Sequence, residues 1–187
     1  MNFSQNRARP RSKSRFHSRV IILANVILAV SMPAAAQQSH SLLNRPAPAF
    51  VRADLNGRRV DLKTYRGNVV LLTFWATWCV PCRIEMPRFV EWQRNYGPAG
   101  LRIIGVSMDD DTAPVRELCR DNGVNYPVVM GDAKLGLRYG GVLGLPLTFL
   151  IDRRGIIRAE FKGEADLHTM ENAITSHLGK RISVTSR

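Results

Sequence analysis

Cys79 and Cys82 are separated only by Val80 and Pro81, and they sit where an apolar run gives way to a helical pattern. At a helix start, unpaired backbone N–H groups and the positive end of the dipole stabilise a thiolate. This lowers a cysteine pKa from about 8.5 towards neutrality. Two intervening residues let the second sulfur reach the first within one turn. Pro81 stiffens that turn by fixing its own φ and offering no N–H. The chemistry open to the pair is thiol–disulfide exchange, with Cys79 attacking from an exposed tip and Cys82 resolving one turn inside. Two other readings use the same residues. A zinc site needs two further ligands in a matching pair, yet Cys119 stands alone and none of His17, His40, His168 or His177 is metal-spaced with it. An inert disulfide would close a loop too short to remove much chain entropy.

The elements that must hold this pair follow from periodicity. Residues 68–75 contain Val69-Val70-Leu71-Leu72-Thr73-Phe74-Trp75, a near-continuous apolar run that reads as a buried central strand. Pro81 opens a helix to about Tyr96, with Cys82, Met86, Phe89 and Val90 on one face and Pro87 inside it as a kink. Residues 101–108 form a second buried strand. Residues 114–122 form a helix with a Val115, Leu118 and Cys119 stripe, stopped by Gly123. Cys119 on that stripe reads as a buried free thiol. A short extended piece (126–130) and a short helix (133–139) come next. Strands at 148–151 and 156–161 are joined by Asp152-Arg153-Arg154-Gly155, and a last helix is capped by Asp166, with Leu167, Met170, Ile174 and Leu178 inward. Upstream, residues 50–62 hold two extended stretches around Asn56-Gly57, a hairpin signal. Hairpin, then βαβα, then ββα predicts one α/β domain, its mixed sheet parallel in the first half and antiparallel in the second.

The chain has 187 residues, 27 Lys+Arg against 15 Asp+Glu, and a formal charge of +12. Hydrophobic content of 45% and charged content of 22% exclude a wholly disordered chain. The basicity is uneven. Residues 1–36 carry six Lys or Arg and no Asp or Glu, leaving 21 against 15, or +6, over the other 151 residues. Arg7, Arg9, Arg11, Lys13, Arg15 and Arg19 form a basic head, and an apolar run over residues 20–30 follows, then Ala34-Ala35-Ala36. These are the parts of a secretory signal peptide cut after Ala36. The apolar core is shorter than the ~20 residues of a comfortable span, and the rival reading is an uncleaved anchor over residues 20–36. The expected organisation is a signal peptide or anchor at 1–36, a flexible leader at 37–48, a domain at 49–180 and a tail at 181–187. Export places the mature chain where disulfides form and persist. The remaining +6 shows no patterned basic stretch, which speaks against nucleic acid and leaves acidic partners or anionic lipid.

Phe74-Trp75-Ala76-Thr77-Trp78-Cys79-Val80-Pro81-Cys82, followed by Glu85-Met86-Pro87, resembles the active-site stretch of the TlpA/ResA branch of thioredoxin-like proteins. Gly144-Leu145-Pro146-Leu147-Thr148-Phe149-Leu150-Ile151-Asp152 resembles the second signature of that branch. The resemblance spans about residues 46–178. It implies a thioredoxin-like fold, a mixed central sheet flanked by helices with an added N-terminal β-hairpin. It also implies membrane-side thiol–disulfide exchange, usually as a reductant of exported proteins, with no cofactor beyond the Cys79–Cys82 pair. The periplasm is expected from the export signal taken together with the habit of this family.

The same resemblance aligns Pro146 with a cis-proline lying against the cysteines, whose preceding peptide, at Leu145, binds the substrate chain. Leu147 stands where the family commonly has Thr or Glu. Glu85, three residues after Cys82, matches a glutamate of ResA-like members; with a raised pKa it could exchange a proton with Cys82. Thr73 occupies the position of thioredoxin's buried aspartate. Trp78 could shield the disulfide from water or simply pack, two compatible roles, and with Leu145 it is a candidate substrate contact. The implied partners are disulfide-containing exported clients, such as apocytochrome c or a copper-site assembly protein, and a membrane electron donor, with the chain itself a monomer. A disulfide-donating oxidant, a peroxidase and a non-catalytic binding module remain as alternatives; the two-residue cysteine spacing does not suit a peroxidase.

Overall fold

The computed structural model describes residues 41–179. The expected signal peptide or anchor at 1–36, the first leader residues and the tail at 181–187 lie outside them. The described residues belong to one compact unit. Residues 44–48, expected as a loose leader, are instead pinned to the body. Asn44 N–H donates to Ile157 O at 2.8 Å, Ala47 N–H to Gly155 O at 2.9 Å, and the Tyr139 hydroxyl to Pro48 O at 2.7 Å. The reason is the edge strand beside them, whose backbone groups would otherwise face open solvent.

β1 (Val51–Ala53) and β2 (Arg59–Asp61) pair antiparallel, joined through Gly57 at φ +79°, the turn that Asn56-Gly57 signalled. A 3₁₀ turn, Leu62–Tyr65, leads to β3 (Val69–Trp75), in which all seven residues are buried. Then come α1 (Val80–Tyr96), β4 (Leu101–Ser107), α2 (Thr112–Asp121), β5 (Val128–Met130), α3 (Ala133–Arg138), β6 (Leu147–Ile151), β7 (Ile157–Lys162) and α4 (Leu167–Leu178). The main sheet has the order β5-β4-β3-β6-β7. β3, β4 and β5 run parallel, while β6 is antiparallel to β3 and to β7. The mixed sheet, its two directions and the added hairpin are those the pattern predicts.

β3 is apolar on both sides because both sides are covered. Val69, Leu71 and Trp75 meet Met86, Phe89, Val115, Met170 and Ile174 from α1, α2 and α4. Val70, Leu72 and Phe74 meet Phe50, Leu62, Leu135 and Tyr139 from the hairpin side and α3. Each buried Leu, Val or Phe contributes about 1.5–3 kcal/mol relative to exposure, and both cores close within the described residues. Helix starts differ from expectation by a residue or two. α2 begins at Thr112 because Asp111 caps the Ala113 N–H at 2.9 Å, and Pro114 is tolerated in the first turn.

Candidate active site

α1 is capped by Cys79 itself. This residue leaves β3's extension with φ −81° and ψ 103°, and its sulfur accepts from the Cys82 N–H at 3.3 Å. Cys79 and Cys82 are joined in a disulfide with Cα atoms 5.3 Å apart. The cap places Cys79 Sγ among the unpaired N–H groups of the first turn, the environment that favours a thiolate once the bond is reduced. The expected difference in exposure is absent in this oxidised form, with Cys79 at 5% and Cys82 at 4%. What projects is the rim. Trp78 is 68% exposed, Val80 61% and Ile84 62%, so Trp78 does not pack into the core.

The turn before the pair is fastened by a network that sequence reasoning missed. Asp109 accepts from the Thr77 N–H at 3.0 Å and from the Thr77 hydroxyl at 2.6 Å, and the Ser107 hydroxyl donates to it at 2.7 Å. Thirty-two residues separate Thr77 from Asp109. They meet because Trp75 and Ser107 are register partners at the ends of β3 and β4. An acidic residue just past the second buried strand was the available signal, but only strand order gives it meaning.

Glu85 is on the inward face of α1 at 2% exposure, and neither carboxyl oxygen has a hydrogen-bond partner. Burial pushes its pKa up to about 7, against the pull of the nearby Ala165 N–H and with a further push from Glu164. Glu85 and Cys82 line one small cavity with Thr73, Trp75, Met86, Phe89 and Tyr126. The Thr148 hydroxyl donates to the Thr73 hydroxyl at 2.9 Å across β6 and β3. Thr73 is thereby satisfied by a neighbour, and Glu85 is the ionisable group behind the pair.

The Leu145–Pro146 peptide bond is cis, as the resemblance implies. Leu147 pairs with Phe74, so the topology sets Pro146 at the same end of the sheet as the turn leading to Cys79. Pro146 O accepts from the Gly163 N–H at 2.8 Å, which ties the loop to β7. Leu145 is half-buried and packs on the cluster that contains both cysteines. Leu147 is buried, so it offers no polar group to a client. The third cysteine, Cys119, is buried on α2 with its pKa pushed up to about 11 by desolvation first and Asp109 second. Among the described residues no group of three or more His, Cys, Asp or Glu is placed to hold a metal ion, and no helix is long and apolar enough to cross a membrane.

The chain is similar to known proteins. The AhpC/TSA family matches residues 43–160. The thiol-disulfide oxidoreductase ResA of Bacillus thuringiensis subsp. konkukian is 33% identical over 163 residues, covering 85% of this chain and 94% of that protein. ResA of Bacillus subtilis is 34% identical over 131 residues, covering 68% and 73%. Among solved structures, a DsbE-type thiol:disulfide interchange protein of Chlorobium tepidum superposes with a TM-score of 0.67 at 31% identity, covering 72% of this chain and 96% of that one.

Proposed function

The chain belongs to the AhpC/TSA family and, within the thioredoxin superfamily, to the ResA-like thiol-disulfide oxidoreductases, and on that premise we propose that it reduces disulfides of exported proteins. The observation that carries the reading is the Cys79–Cys82 disulfide at the cap of α1, with the buried Glu85 sharing a cavity with Cys82.

In the reduced protein the Cys79 thiolate attacks one sulfur of a client disulfide. That S–S bond breaks, a mixed disulfide forms, and the departing client thiolate takes a proton from water. Glu85, which titrates near neutrality, accepts the Cys82 proton. The Cys82 thiolate attacks Cys79 Sγ, the mixed disulfide breaks, and the second client sulfur leaves as a thiolate that takes a proton from water. Two electrons have passed to the client, and Cys79–Cys82 is oxidised. A dithiol donor of the membrane returns them by the reverse exchange. Trp78 and the Leu145–Pro146 peptide hold the client chain beside Cys79. No cofactor takes part. The site of action is the periplasm, reached through the N-terminal signal, with the chain cleaved or anchored there as a monomer. Clients of cytochrome c or copper-site maturation fit this chemistry.

The direct test is Cys82→Ser, which leaves the attacking sulfur without its resolver. It is expected to accumulate a mixed disulfide with a disulfide-containing client on a non-reducing gel, while Cys79→Ser accumulates none. Trapping by Cys79→Ser instead would reverse the two assignments.

A further inference from the structure

Charge is unevenly spread between the two ends of the sheet. The end bearing Cys79 carries Asp109, Asp110, Asp111, Glu164 and Asp166 in the loops after β4 and β7, interspersed with Arg83, Lys134 and Lys162. The opposite end is formed by the approach to β3, the start of β4 and the β6–β7 turn. It carries Lys63, Arg66, Arg94, Arg102, Arg153 and Arg154, and none of these six is within salt-bridge reach of a carboxylate among the described residues. Several are held in place by neutral backbone instead. Arg153 donates to Gly67 O at 2.6 Å, and Arg102 donates to Gly97 O at 2.8 Å and Leu101 O at 2.7 Å. Those bonds fix the cations and leave their charge uncompensated. Two carboxylates of this end are engaged: Asp152 by Arg158 at 2.7 Å and by the Arg154 and Ile156 N–H groups, and Asp61 by Arg59 at 3.2 Å and by the Lys63 N–H at 3.0 Å.

A groove of about 240 Å³ opens at the same end, between the pinned segment at 46–49, the 3₁₀ turn and the end of β6. Leu62, Tyr65, Val70 and Ile151 line it, with Lys63 and Arg66 also on its wall. An apolar groove with Lys63 and Arg66 on its wall, and with Asp152 there held by Arg158, suits an anionic amphiphile rather than a purely polar polyanion such as nucleic acid. Near its first described residue the body lies on this half of the β7 edge, where Asn44 bonds to Ile157, the first residue of β7. The sequence upstream includes the apolar run of residues 20–30.

We infer that the basic end is a docking surface for an anionic phospholipid bilayer. The lipid surface attracts this end more strongly than the end bearing Cys79, so Cys79 faces away from the membrane towards its clients. The interaction is independent of the redox chemistry and is tested without it.

The chain from Gln38 holds the whole described body and both cores, and it lacks the apolar run, which would bind bilayers of either charge. Its sedimentation with vesicles is measured in low salt, using phosphatidylcholine alone or with one third phosphatidylglycerol. Binding is expected only to the anionic vesicles, with release in 0.5 M salt as the charges are screened. K63Q/R66Q/R154Q changes three exposed side chains. At about fivefold per Lys or Arg near an anionic surface, it is expected to cut partitioning about a hundredfold. R116Q/K134Q/K162Q removes the same charge elsewhere and is expected to leave most of the binding. Failure to bind anionic vesicles, equal loss in both variants, or capture of heparin with vesicles left unbound would each overturn the inference.

Discussion

Glu85 destabilises the fold that contains it. A carboxyl raised from 4.5 to about 7 binds its proton more tightly folded than unfolded. Stability from this group is therefore full below pH 4.5 and is lost as pH rises to about 7, by roughly 3 kcal/mol in all. Glu85→Gln removes that dependence. In urea unfolding of the oxidised protein, the advantage of Glu85→Gln over wild type should grow by roughly 3 kcal/mol between pH 4 and pH 8. A pH-independent difference would show that the carboxyl is not held in its protonated form. In the reaction, an inflection near pH 7 in the rate of client reduction should vanish in the same variant. Cys119 provides the contrast. Buried, with its pKa pushed up to about 11, it should be unreactive to alkylation at pH 7, and Cys119→Ala should retain full activity. The cysteine pair and Glu85 were legible because they lie within seven residues on one helix. Asp109 was not, because its meaning depends on a partner in another strand.

At the scale of elements, β3 and β4 end together, and the Thr77–Asp109–Ser107 network uses that juxtaposition to set the turn from which α1 starts. Asp109→Ala leaves a part-buried Thr77 N–H without its acceptor, and the expected cost is about 1–3 kcal/mol in unfolding free energy. Activity should fall with it, since the same turn carries Cys79. Loss of stability with unaltered activity would separate the clamp from the site. Asp166 makes a simpler test. Its carboxylate accepts from the His168 and Thr169 N–H groups at the start of α4. Asp166→Ala should cost about 1 kcal/mol in urea unfolding. Strands and helices were readable from their periods, including Asp166 as a cap. Starts at Val80 and Thr112 were misplaced because a proline in the first turn draws attention from the cap before it. The pinning of residues 44–48 was unreadable, since a polar, proline-containing stretch carries no mark of the open strand edge that recruits it.

At the scale of the molecule, the order of elements predicted the sheet, because short right-handed crossovers leave few topologies for hairpin, βαβα and ββα. The uneven charge along the chain was legible, but the group of unpaired cations at the end opposite Cys79 needed the strand directions. One two-layered sheet holds the disulfide at one end, keeps a titrating carboxyl behind it and surrounds it with an exposed apolar rim. The central claim is that this arrangement gives electrons to clients. It is tested most directly by the equilibrium reduction potential of Cys79–Cys82, measured by thiol trapping in defined dithiothreitol or glutathione buffers. The account predicts a value near or below about −230 mV, among thioredoxin-like reductants. A value near about −120 mV would contradict it and make the protein a donor of disulfides.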